Sequence, residues 1–71
     1  MEEKALLEKL GSRIRDIRTS RNMTQYELAD KCAINRNYIG MLERGERNPT
    51  YLTLLKLASG CQVSVSELVK E

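Results

Sequence analysis

Helix start signals recur along this chain and favour short helices over any other structure. Two segments, Thr24-Gln25-Tyr26-Glu27 and Ser64-Val65-Ser66-Glu67, have the capping-box pattern, in which a hydroxyl and a later glutamate each satisfy a backbone N–H group. Asn35 and Thr50 are N-cap candidates for two further helices. No strand-length run alternates β-branched or aromatic residues with polar ones. The sequence therefore predicts an all-α fold.

The spacing of apolar residues sets the expected helix bounds. Residues recurring every three or four positions predict a first helix over about 3–21 that ends near Asn22, with Gly11 as a point where it could break. This apolar stripe consists of Leu7, Leu10, Ile14 and Ile17. Further helices are expected at about 25–32, 36–44, 51–59 and from 65 onward. Five helices in 71 residues make a compact bundle, and we expect a single domain over 1–71.

The second and third predicted helices are separated only by residues 33–35. So short a connection forces a large crossing angle, which is the geometry of a helix-turn-helix over about 25–44. Ala29 provides the small side chain that lets the two backbones approach closely.

The outer face of the third predicted helix consists of arginines, an asparagine, a glycine and a methionine. This is unusual for a solvated surface, because exposed helices ordinarily mix Glu and Lys. A helix that enters a DNA major groove instead needs hydrogen-bond donors near its N-terminus and small or apolar residues where the groove floor is close. We predict that Arg36 reads guanine and Asn37 reads adenine. Met41 is expected to touch a thymine methyl, and Gly40 to let the helix sit deep. Arg36 as a phosphate contact and Met41 as a partly buried core residue remain alternatives.

Arginines are clustered although the net charge is only +2. Residues 11–22 contain four arginines against one aspartate, and residues 36–47 add three more arginines. Such clusters are typical of phosphate contacts, although they also fit an ordinary solvated surface.

Several function classes are disfavoured by what the chain contains. It has no histidine, no glycine-rich phosphate loop and no nucleophile–base pair, which argues against an enzyme. Cys32 and Cys61 are too isolated for a zinc site, so we expect no metal or other cofactor. Both suit small buried residues in a reducing compartment, with a redox-sensing thiol as the alternative. Apolar runs are too short to span a membrane, and Glu2 and Glu3 do not suit a signal peptide, so a cytoplasmic location is expected.

Three short motifs become specific in combination. They are Gln25-Tyr26-Glu27-Leu28-Ala29, Asn35-Arg36-Asn37-Tyr38-Ile39 and Glu43-Arg44-Gly45. Together they resemble the phage repressor and Cro-like (XRE-type) helix-turn-helix family, over roughly residues 10–69, which implies the fold of a lambda repressor-like DNA-binding domain. A narrower similarity is to the controller proteins of restriction–modification systems, which share Arg-x-Tyr-Ile at the third helix and the following pattern, here Glu43-Arg44-Gly45-Glu46-Arg47-Asn48.

The resemblance implies a transcriptional regulator that binds double-stranded DNA sequence-specifically, recognising a palindromic operator as a homodimer through the helix at about 36–44. Gln25 matches a helix N-terminus that favours a phosphate. Arg18 and Glu43 match a structural ion pair, and Val65 lies in the segment that the family uses for dimerisation. No small-molecule effector site is evident. DNA backbone contacts are implied for Thr24, Gln25, Tyr38, Arg44, Arg47 and Asn48, and base contacts for Arg36, Asn37, Gly40 and Met41.

Three positions depart from the family pattern. Ala33 stands at a turn position that is usually glycine, and a left-handed alanine costs about 1 kcal/mol. Cys61 and Gln62 replace a usual leucine and glycine, which affects the loop before the last helix. Gly40 has no side chain to read a base, so specificity could rest on fewer contacts or on DNA shape.

Other function classes stay open on sequence grounds. The same fold serves as a protein-interaction module or as the antitoxin of a toxin–antitoxin pair, and residues 1–10 could form the surface this requires. RNA binding by base stacking needs exposed aromatic side chains, and three tyrosines without Phe or Trp give it little support.

Overall fold

The computed structural model describes residues 2–70 and folds them into helices joined by short turns. The all-α prediction is confirmed. Two helices end one residue earlier than predicted, at Ser20 and Glu43, and the fourth continues two residues further, to Cys61. The five helices of the described residues are α1 (Glu3–Ser20), α2 (Gln25–Cys32), α3 (Arg36–Glu43), α4 (Tyr51–Cys61) and α5 (Val65–Leu68).

The predicted N-caps are formed, but only one of the two capping boxes is complete. The Thr24 hydroxyl accepts from the Glu27 backbone N–H at 3.0 Å, and the Thr24 N–H donates to Glu27 Oε1 at 2.8 Å. Ser64 accepts from the Glu67 N–H at 3.0 Å, so its half of the second box is present. The Glu67 carboxylate instead pairs with Arg13 of α1, and this tertiary contact replaces the predicted local one.

Three helix ends place a residue other than glycine in the left-handed conformation. Asn22, Ala33 and Gln62 have φ values of 58°, 56° and 60°. Behind Ala33, the Ile34 N–H donates to the Ala29 carbonyl at 3.0 Å, which closes the turn between α2 and α3. The turn therefore keeps the geometry that glycine would allow, at a cost of about 1 kcal/mol for the alanine.

α1 runs unbroken through Gly11, contrary to the break considered above. A Cβ on Gly11 would lie 2.5 Å from the carbonyl oxygen of Glu43 and closer still to that of Leu42. Glycine is needed here because α1 crosses the end of α3 with backbone against backbone. Its weak helix propensity is outweighed by this packing.

Each helix contributes a fully buried side chain to one core. These residues are Ile14, Leu28, Ile39, Leu57 and Leu68. Cys32 and Cys61 are buried among them, and burial raises the pKa of the Cys32 thiol to about 11, so the thiol stays protonated at neutral pH. None of the helices within residues 2–70 has the length and apolar character that crossing a bilayer requires.

Candidate nucleic-acid interface

α3 is held against the core on one side and is open on the other. Ile39 and Leu42 are buried beneath it, whereas Arg36 and Asn37 at its N-terminal end are exposed. The Asn35 side chain accepts from the Asn37 backbone N–H at 2.7 Å, which fixes where the helix begins. The first residues of α3 after the short turn therefore lie at the surface of the bundle.

An open groove of ≈ 460 Å³ runs along the outer side of α3. It brings together all four residues predicted to contact bases and two of those predicted to contact the DNA backbone. Its lining consists of Gln25, Arg36, Asn37, Gly40, Met41 and Arg44. The sequence pattern therefore identified a set of residues that are neighbours in space.

The other predicted site residues lie outside this groove. Thr24 is the exposed N-cap of α2, and Tyr38 is half-buried against the core. Arg47 and Asn48 are exposed in the loop after α3. Val65 is half-buried at the start of α5 and packs on the core.

Gly40 forms part of the groove floor and is covered by flexible side chains. A Cβ at this position would lie 3.1 Å from Arg44 Nη1 and 3.5 Å from Gln25 Oε1. Both neighbours are ends of long side chains, which can move when a ligand enters the groove.

The groove is braced from behind by an ion pair between Arg18 of α1 and Glu43 of α3. Arg18 Nε donates to Glu43 Oε2 at 2.7 Å, and Arg18 Nη2 donates to Oε1 at 3.0 Å. The third guanidinium nitrogen donates to the Met23 carbonyl at 2.9 Å, so the side chain also fixes the turn after α1. The hydrogen bond to Glu43 raises the pKa of Arg18, and the pair is well shielded, with side-chain exposures of 12% and 3%.

Gln25 links the start of α2 to the same carboxylate. Its Nε2 donates to Glu43 Oε1 at 3.0 Å, while its Oε1 lies on the groove side, near Gly40. A phosphate offers only acceptor oxygens and has no favourable contact with an amide oxygen. The backbone N–H groups of Gln25 and Tyr26 are therefore the better phosphate donors, as at other helix N-termini, whereas the Glu27 N–H already donates to the N-cap hydroxyl.

Arg44 is paired within the loop that follows α3. Its Nε donates to Glu46 Oε2 at 2.9 Å and its Nη2 donates to Oε1 at 3.2 Å, with both side chains more than half exposed. The hydrogen bond from Arg44 holds the pKa of the Glu46 carboxyl below its ordinary value. Glu46 was not among the predicted site residues, although its place two residues after Arg44 was a signal for this pair.

A second feature missed from the sequence is the exposed apolar side of α4. Leu52 and Leu55 are one helical turn apart, and 62% and 40% of their surfaces are accessible. The signal was that α4 contains more apolar residues than one helix face can bury.

Comparison with known proteins identifies the class. The Helix-turn-helix family model matches residues 14–68, and the chain belongs to this family. The chain is 39% identical over 62 residues to the immunity repressor protein of Bacillus phage phi105. This alignment covers 87% of this chain but only 43% of that protein. It is 40% identical over 60 residues to control protein C.SmaI of Serratia marcescens, covering 84% of this chain and 71% of that one.

Solved structures agree with this assignment. The restriction–modification controller protein C.AhdI from Aeromonas hydrophila superposes with a TM-score of 0.89 at 39% identity, covering 90% of this chain and 97% of that one. The controller protein C.Esp1396I superposes with a TM-score of 0.79 at 41% identity, covering 83% and 77%. The predicted resemblance is confirmed. The chain is a DNA-binding transcriptional regulator of the helix-turn-helix (XRE) type and not an enzyme.

Proposed function

We propose that this chain binds a palindromic DNA operator as a homodimer, with α3 of each protomer in a major groove. The observation that carries the proposal is the groove along α3, in which exposed donors lie beside a half-buried methionine. Glu43, the carboxylate on this helix, is turned inward and neutralised by Arg18, so it does not oppose the phosphates. We place this activity in the cytoplasm.

The groove residues divide into two roles. Arg36 and Asn37 sit at the exposed N-terminal end of α3 and would read guanine and adenine edges, while Met41 would touch a thymine methyl. Gly40 would keep the groove floor free of a side chain. The backbone contacts proposed around them are Thr24, Gln25 through its backbone N–H, Tyr38, Arg47 and Asn48.

The dimer contact would centre on the exposed side of α4 and would include Val65, the first residue of α5. A domain of this size buries only about 60% of the surface of its unfolded chain, so a second copy is a natural cover for Leu52 and Leu55. An isologous two-fold contact would place the two α3 helices on one face of the DNA, with half-site centres about 34 Å apart.

Selection of bound sites from a random duplex library, at about 0.15 M salt, tests this proposal. The expected result is an inverted repeat whose half-sites are separated by about ten base pairs. A folded sample that enriches no sequence would contradict it. That result would favour the protein-interaction alternative, which has its own support in an apolar groove of ≈ 390 Å³ lined in part by Leu6, Leu10 and Leu68.

Two arginine variants separate base reading from phosphate binding. Arg36→Ala should weaken binding to the selected operator by about 1–3 kcal/mol and relax the preference at one base. Arg47→Ala should weaken binding to all duplexes alike and lower the salt dependence by about one ion. Titrations of operator and unrelated duplexes at several salt concentrations measure both effects, and two variants that bind like the parent would refute this mode of docking.

A further inference from the structure

Arg44 uses only one edge of its guanidinium in the pair with Glu46. The carboxylate takes Nε and Nη2, which form the side edge of the group. The end edge consists of the N–H groups of Nη1 and the second N–H of Nη2, and the pair with Glu46 does not use it. Nη1 lies above Gly40, 3.1 Å from where a Cβ would stand, so the guanidinium lies along the floor of the groove on α3.

The end edge matches a guanine better than it matches a phosphate in this setting. Guanine presents two parallel acceptors, O6 and N7, and two parallel N–H groups of arginine satisfy both. A phosphate at the side edge would have to displace Glu46, and a phosphate at the end edge would bring its negative charge close to the Glu46 carboxylate. A base edge carries no net charge, and it can be bound with the Arg44–Glu46 pair intact.

Glu46 also fixes the plane of the guanidinium before DNA arrives. Two hydrogen bonds from one carboxylate restrict the rotation of a long side chain, which reduces the entropy lost on binding. Arg44 shares the groove with Arg36, Asn37 and Met41, so its end edge lies among the residues proposed to read bases.

We propose that Arg44 reads a guanine of the operator, with Glu46 as the positioning residue that holds it. This inference rests on the proposed function, because it assigns a role within the same groove. It replaces the backbone role that the family resemblance gave to Arg44, and it adds a second arginine reader just beyond the C-terminal end of α3.

Parallel site selections with the parent and four variants, one of them a control, test the inference. Arg44→Ala removes the reader. Arg44→Lys keeps the charge but loses the two parallel N–H groups of the guanidinium. Glu46→Gln keeps the size of the positioning side chain but removes its charge. Arg47→Ala is the matched control, because it removes a neighbouring exposed arginine that should contact phosphate only.

The parent should select a guanine at one position of each half-site that both Arg44 variants no longer prefer. Relative to the parent protein, Arg44→Ala should lose affinity for the operator that contains this guanine. That loss should be roughly five- to a hundredfold greater than its loss on an operator in which the guanine is replaced. Glu46→Gln should weaken the same preference while binding unrelated duplexes more tightly than the parent. Arg47→Ala should leave the selected sequence unchanged.

The opposite results are equally specific. If Arg44→Ala selects the parent sequence and loses the same factor on every duplex, Arg44 is a phosphate contact and the inference is wrong. If Glu46→Gln keeps the full guanine preference, Glu46 does not position the reader. If the parent itself selects no sequence, the proposed function fails and the inference fails with it.

Discussion

Two arginine–glutamate pairs involve neighbouring residues at the end of α3 and differ in their surroundings. Glu43 is held by Arg18 in a pair whose side chains are 12% and 3% exposed. Arg44, the next residue, is held by Glu46 in a pair whose side chains are 57% and 51% exposed. Both pairs have the same two-point geometry.

The difference shows that burial, more than pairing, decides what such a contact does. A carboxylate shielded from water depends on its partner, because the charge left behind has neither solvent nor counter-ion. An exposed pair is surrounded by water and salt, so it contributes little to folding and its members remain available to a ligand. The buried pair should therefore determine stability and the exposed pair DNA recognition.

The largest expected effect is that of removing Arg18. Arg18→Ala should lower the free energy of unfolding by about 3–5 kcal/mol, because Glu43 would be left buried and unpaired. Urea or thermal unfolding measures this loss, with the exposed Arg15→Ala as a control that should change little. Should Arg18→Ala fail to fold, Arg18→Lys, which keeps the charge without the fork, should fold with intermediate stability. A parent-like melting temperature for Arg18→Ala would refute the structural role of the pair.

A smaller loss is expected at the crossing of α1 and α3, beside the same pair. In an ordinary helix, Gly→Ala gains up to about 1 kcal/mol. At Gly11 the new methyl would collide with backbone oxygens of Leu42 and Glu43, which cannot rotate away, so Gly11→Ala should destabilise by about 1–3 kcal/mol. The exposed Ser12→Ala is the matched control and should be neutral or slightly stabilising. A stabilised Gly11→Ala would show that the two helices are not in backbone contact.

The smallest expected effect on stability is that of Glu46→Gln. Because both members of its pair are largely exposed, the unfolding midpoint should stay within experimental error of the parent. The same denaturation experiment measures it beside Arg18→Ala. A loss comparable to that of Arg18→Ala would remove the distinction between the two pairs.

Local signals in the sequence predicted much of the fold. N-caps at Thr24, Asn35 and Thr50 act within one turn of chain, so a short window contains the information. The failures concern contacts that are distant in sequence. The Glu67 carboxylate pairs with Arg13 instead of completing its capping box, and Gly11 packs against the backbone at the end of α3. A local sequence pattern can reveal neither contact.

The site divides in the same way. The groove residues on α3 share one helix face, so their spacing was enough to place them together. The covering of Gly40 and the pairing of Arg44 depend on side-chain conformations at a turn, where residue spacing gives no direction. Which leucines of α4 are exposed could not be predicted, because this depends on which side of that helix packs on the core.

The most direct test of the contrast between the two pairs is to follow the arginine Nε–H resonances of isotope-labelled protein while the selected duplex is added. The Arg44 resonance should shift or broaden on binding, because its guanidinium lines the groove and would lie against the bound base. The Arg18 resonance should keep its position, because its guanidinium is shielded with Glu43 and does not line the groove. An unmoved Arg44 together with a perturbed Arg18 would contradict the assignment of the exposed pair to DNA and the buried pair to the fold.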